Sequence, residues 1–128
     1  MSPAEPVVYG IANCDTVKKA RALLGAHGRA HRFHDFKKAG VPTAALQAWV
    51  EAFGWARLLN RQGSTWRKLD PQAQASAADA AGAMALMQAH PSVIRRPVLE
   101  LAGVPLQLGF DAAAWGAALG IAAAEPKP

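Results

Sequence analysis

The first patterned stretch of the chain is Val7-Val8-Tyr9-Gly10-Ile11, a short apolar and β-branched run of the kind that forms a buried strand. Past Asn13 and Cys14, apolar residues recur at Val17, Ala20, Leu23 and Leu24, a spacing that gathers them on one side of a helix. Gly28 marks where that helix stops. His31 to Phe36 reads as a second strand, with Phe33 and Phe36 on opposite faces, as in a strand covered on both sides. Strand, helix and strand within about 30 residues make a βαβ unit, which implies a parallel pair joined by a right-handed crossover.

The middle of the chain carries helical spacing. Pro42-Thr43 opens a helix with Leu46, Trp49, Val50 and Phe53 on one face, ended by Gly54. Pro71 to His90 holds one or two alanine-rich helices with Met84, Leu86 and Met87 facing inward, and Pro91 stops them. Strand character returns at Val98-Leu99-Glu100-Leu101 and Leu106-Gln107-Leu108, a hairpin whose loop is expected to be the four residues Ala102 to Pro105. Asp111 then caps a last helix through Trp115 and Leu119, and Glu125 to Pro128 reads as a frayed end. The layout is α/β, βαβ then ββα, with a helical insertion over about residues 42–91. Residues 1–120 are expected to form one domain, and 121–128 a flexible tail.

Composition narrows the class. With 52% hydrophobic and 18% charged residues the 128-residue chain is globular and not disordered. The uncharged run Ala112 to Ala124 falls short of a membrane span, and no secretory signal pattern opens the chain. A single cysteine makes no internal disulfide, which fits a cytoplasmic location. The net charge of +5 favours anionic partners.

Cys14 is the first candidate for chemistry. It follows a strand and stands at the first turn of a helix, where unpaired N–H groups and the positive end of the helix dipole favour a thiolate. Lys18, Lys19 and Arg21 crowd a turn that ordinarily prefers acidic residues, with Asp15 opposing them. The bland alternative is a buried cysteine acting as a small hydrophobe. Position 17 is valine, so there is no Cys-x-x-Cys pair, and disulfide chemistry here requires an external resolving thiol. Ile94-Arg95-Arg96-Pro97 is either a solvated basic turn or a guanidinium fork for an oxyanion or carboxylate. The interleaved Trp and Arg residues between Leu59 and Leu69 form a short amphipathic run, and nucleic acid is not an expected partner. His31 and His34 would point to opposite faces of a strand, and His27 and His90 have no companions at ligand spacing. No metal site is expected.

These residues carry a family resemblance. Tyr9-Gly10-Ile11, Asn13-Cys14-Asp15-Thr16-Val17-Lys18-Lys19-Ala20, Arg32 to Phe36, Gly54-Trp55, Leu58-Leu59-Asn60, Thr65 to Leu69, Arg96-Pro97 and Gly109-Phe110 together resemble the ArsC family, with the YffB-type branch, near relatives of Spx, as the nearest match. The resemblance spans about residues 7–119 and implies a thioredoxin-like fold with a helical insertion. It implies Cys14 as the nucleophile, Arg96 as the active-site arginine and Pro97 as a cis-proline beside the thiol. It further implies a glutathione-dependent thiol/disulfide oxidoreductase, with no bound cofactor and with glutathione as co-substrate. Asn13, Thr16, Lys18, Asn60, Arg61, Arg95 and Pro97 are the expected binding residues. Glutaredoxin or an oxidised protein thiol is a further expected partner, and the chain is expected to be a monomer. The alternatives are arsenate reduction with glutathione and glutaredoxin, or an Spx-like regulator that binds RNA polymerase. Two departures weigh against these. No arginine stands in Leu106-Gln107-Leu108, where arsenate reductases of the family place one, and the Cys-x-x-Cys frequent in Spx-type regulators is absent.

Overall fold

A strand at the centre of a sheet must satisfy hydrogen bonds on both edges, and the apolar run at Val7 does so. In a computed structural model, which describes residues 4–121, β1 (Val7–Gly10) lies between β2 (Arg32–Asp35) and β3 (Val98–Leu101) in a sheet ordered β2-β1-β3-β4. β1 and β2 are parallel, with Val8 beside Phe33 and Tyr9 beside His34, as the βαβ reading requires. β3 runs antiparallel to β1, with Leu99 opposite Val8. β4 (Val104–Leu108) closes the hairpin, with an irregularity between Leu99 and Glu100. Helix α1 (Asp15–Ala26) makes the crossover. This is the βαβ…ββα arrangement expected of a thioredoxin-like fold.

The chain divides into two compact units. One comprises the segments up to Asp35 and from Arg96 onward; the other is the continuous stretch Phe36–Arg95. In the first, alternate strand residues face one core, where Val8, Leu99, Ala20, Leu24, Trp115 and Leu119 are buried together and Phe33 packs against them. The last helix among the described residues, α8 (Ala112–Leu119), supplies Trp115, whose indole N–H donates to the Gly109 carbonyl at 2.9 Å. Asp111 caps α8, its Oδ1 accepting from the Ala114 N–H at 2.9 Å.

The second unit is helical: α2 (Phe36–Ala39), α3 (Thr43–Phe53), α4 (Trp55–Leu58), α5 (Ser64–Lys68), α6 (Pro71–Ser76), α7 (Ala80–Ala89) and a 3₁₀ turn at Pro91–Val93. Its buried side chains include Phe36, Leu46, Trp49, Leu58, Leu86 and Met87, whereas Met84 is only half-buried. Asp70 and Asp79 cap α6 and α7 through Oδ1, each at 2.8 Å. The two helices meet so closely that a Cβ on Gly82 would fall 1.9 Å from the Ser76 carbonyl oxygen.

Two expectations need correction. Phe36 does not extend β2; it opens α2, and its ring meets Trp49 at 6.0 Å. The hairpin loop is two residues, Ala102 and Gly103 at φ +52° and +77°, and not four. Pro105 lies within β4, which is tolerated because β4 is an edge strand. Residues 122–128, which hold the expected tail apart from Ile121, lie outside the described residues. Among the described residues, no helix is long and apolar enough to cross a membrane.

A candidate active site at the start of the first helix

A helix leaves its first N–H groups without intrahelical acceptors, and here the residue that meets them is a cysteine. Cys14 is the N-cap of α1, in extended conformation at φ −144° and ψ 121°, with its carbonyl accepting the first helical bond from the Lys18 N–H at 2.9 Å. The thiol is half-buried. Burial pushes its pKa up, but the Val17 backbone N–H, the hydrogen bond and charge of the Arg96 guanidinium, and the Thr16 backbone N–H outweigh that effect. The thiol is therefore held below its ordinary value. Lowering the thiol pKa raises the share of the sulfur present as thiolate, the nucleophilic form.

Arg96, two residues before β3, reaches the sulfur from the segment that leads into that strand. The Arg96–Pro97 bond is cis, and the Pro97 carbonyl accepts from the Gly109 N–H at 2.8 Å. Cys14, Thr16, Arg96 and Pro97 thus belong to one unit. Asn13 and Lys18 are exposed on either side of the thiol in the chain.

The remaining expected binding residues belong to the helical unit and have partners there. The Asn60 side-chain oxygen accepts the Gln62 N–H at 3.0 Å, and the Asn60 backbone N–H donates to the Val93 carbonyl at 2.7 Å. The Arg61 guanidinium lies over Trp66 and Trp55, at 5.6 Å and 6.0 Å from the ring centroids. Arg95 donates from Nε to the Arg57 carbonyl at 2.9 Å and from its backbone to the Leu58 carbonyl at 2.8 Å.

Sequence reasoning did not single out a second polar group of the sheet. On the face opposite the Val8–Leu99 core, the Tyr9 hydroxyl donates to Oε1 of Glu100 at 3.1 Å, and the Tyr9 ring lies 4.9 Å from that of His34. Glu100 is 6% exposed. A carboxylate inside the apolar run Val98–Leu101 was the signal available. Its partner emerges only with the strand register, which sets Val7 opposite Glu100 and Tyr9 opposite Val98.

A sequence model of the ArsC family matches residues 9–118. An uncharacterized protein of Haemophilus influenzae is 39% identical over 104 residues, covering 81% of this chain and 90% of that one. Among solved structures, the YFFB (PA3664) protein is similar with a TM-score of 0.83 and 48% identity, over 89% of this chain and 98% of its own. An arsenate reductase (ArsC) related protein from Brucella melitensis gives a TM-score of 0.70 and 43% identity, over 91% of this chain and 96% of its own.

Proposed function

This chain belongs to the ArsC family, and from that membership we propose that it is a glutathione-dependent thiol/disulfide oxidoreductase with Cys14 as its one nucleophile. The observation that carries the reading is the sulfur at the start of α1, facing two backbone N–H groups and the Arg96 guanidinium. Such donors stabilise a thiolate and not a thiol, so they favour attack by the Cys14 sulfur and make it a good leaving group afterwards.

The sequence of steps follows from there being one cysteine. The Cys14 thiolate attacks the glutathionyl sulfur of a mixed disulfide, forming a Cys14–glutathione disulfide as the substrate's own thiolate leaves. A second glutathione, as thiolate, attacks the glutathionyl sulfur; oxidised glutathione departs and the Cys14 thiolate is restored. The net exchange consumes one free glutathione thiol per turnover: the substrate sulfur leaves as a thiol, and the glutathione it carried departs joined to the second as oxidised glutathione. Arg96 and the Thr16 and Val17 N–H groups hold the leaving Cys14 sulfur in its anionic form. In this reading Asn13 and Lys18, exposed beside the thiol, receive the tripeptide's carboxylates.

The test is reduction of a glutathionylated peptide, coupled to NADPH oxidation through glutathione reductase. The wild-type protein is expected to turn over, and Cys14→Ser to fall to background. Mass spectrometry is expected to trap one glutathione on Cys14. Turnover that persists in Cys14→Ser defeats the proposal. A second reading, arsenate reduction at the same sulfur, is favoured by the arsenate reductase related protein from Brucella melitensis. It is opposed by β4, Val-Pro-Leu-Gln-Leu, which offers an oxyanion no arginine. Arsenite formation from arsenate, with glutathione and glutaredoxin supplied, would establish it.

A further inference from the structure

Gly10 ends β1, four residues before Cys14, and is buried. It differs in kind from the glycines at 28, 40, 54, 103, 109 and 120. Each of those has a φ between +63° and +85° and open space where a side chain would stand. Gly10 has no positive φ, so backbone conformation does not call for glycine there. Space does. A Cβ on Gly10 would lie 2.7 Å from Cγ2 of Val17 and 3.6 Å from its Cγ1.

Val17 has little freedom to move away. It is fully buried, and as a β-branched residue within a helix it strongly prefers a single rotamer. A methyl group at position 10 therefore displaces the first turn of α1 from the end of β1. Val17 is also the third residue of α1, so its backbone N–H has no intrahelical acceptor and belongs to the first turn that Cys14 precedes, where it helps to hold the thiol below its ordinary pKa. One residue thus joins the packing of strand on helix to the donor that meets the thiolate.

We propose that Gly10 is a positioning residue for the nucleophile: its missing side chain lets Val17 seat against β1, and this seat aims the first-turn N–H groups at the Cys14 sulfur. The inference concerns the thiolate and not its substrate. It is therefore read by alkylation, which remains informative if the glutathione reaction fails.

The experiment compares the pH profile of Cys14 alkylation by iodoacetamide in the folded wild type, Gly10→Ala and the double variant Gly10→Ala/Val17→Ala. Arg96, Asp15 and Lys18, the charged groups next to the sulfur in space or along the chain, are the same in all three. Circular dichroism and a thermal melt confirm that each is folded. Gly10→Ala is expected to move the midpoint upward and to slow alkylation at pH 6 by about tenfold, the worth of one weakened charge-assisted hydrogen bond. The double variant removes the methyl groups that collide and is expected to regain most of the lost rate. An unchanged profile in Gly10→Ala overturns the proposal. A slowed Gly10→Ala that Val17→Ala does not rescue overturns it too, since the effect would then not pass through Val17. If Gly10→Ala does not fold, Val17→Ile crowds the same contact from the helix side. Slowed alkylation in that variant then supports the proposal, and a wild-type profile overturns it.

Discussion

Cys14 stands in the N-cap position of α1 but makes no side-chain capping bond of the kind a serine or aspartate oxygen makes; a sulfur is a strong acceptor only when ionised, so the first-turn N–H groups and Arg96 act chiefly on the anion. The fold therefore favours the thiolate. Since the folded pKa lies below the unfolded one, the stability gained is present above the unfolded value and is lost as pH falls through the folded value. The difference in melting temperature between wild type and Cys14→Ser should accordingly grow as pH is raised across that window. Arg96→Met should push the alkylation midpoint up and slow the reaction at pH 6 by about tenfold, because it removes a charge-assisted bond and a neighbouring cation together. Tyr9 gives the opposite sign. Burial, the Glu100 charge and the bond to Glu100 push its phenol up from 10.0 to about 12, so the fold favours the neutral form. That contribution is whole below pH 10.0 and is lost as pH rises through about 12. Tyr9 is the one tyrosine of the chain, so ultraviolet titration reads it without overlap. The folded protein should show no phenolate until near pH 12, and Glu100→Gln should lower the midpoint. Cys14 and Arg96 could be singled out by residue type and by their place beside strands. Val17 could not, because its contribution is a backbone N–H. Nor could the Tyr9–Glu100 pair, 91 positions apart in the chain.

Among the elements, those legible in the sequence were the ones whose ends carry their own signal. Pro42 and Gly54 bound α3, and Asp111 caps α8, all where the residues indicate. Errors arose where a residue's usual meaning depended on its neighbours. Pro105 suggests a loop unless its strand is an edge, which is a property of the sheet and not of the local sequence. Phe36 follows β2 as a further apolar residue, on the face opposite Phe33 if the strand went on, yet the chain turns into α2, and the ring is buried in the helical unit against Trp49. The two-residue hairpin turn holds Ala102 at φ +52°, a left-handed conformation that costs an alanine about 1 kcal/mol or more. Asn-Gly is the pair that such a turn prefers. Ala102→Asn should therefore stabilise the protein by about 0.5–1 kcal/mol, seen as a higher urea midpoint with an unchanged slope.

At the scale of the whole molecule the net charge of +5 sets a field that the site shares with the rest of the surface. Contacts to the sulfur are too short for salt to screen well, whereas the pull on an anionic tripeptide is long-ranged. Raising the ionic strength from about 0.02 M to about 0.3 M should therefore raise the KM for glutathione several-fold, with kcat and alkylation by neutral iodoacetamide little changed. A KM that ignores salt would mean that the tripeptide is held by local contacts alone. The order of the strands and of the longer helices was readable, whereas α2, α4 and α5, of four or five residues each, are too short for helical periodicity to show. The division into two units was not fully readable, because the helical unit already begins at Phe36, inside the stretch that reads as strand. The strand order gives that division a further meaning. The chain leaves the sheet at Asp35 and rejoins it at Arg96, and β2 and β3 are the two neighbours of β1. β2 is parallel to β1 and β3 antiparallel, so both joints stand at the same end of the sheet, about 10 Å apart across two strand spacings. To the sheet, everything between them is a cassette that leaves and returns at two points on one end. Its length and content can be exchanged without rethreading a single strand.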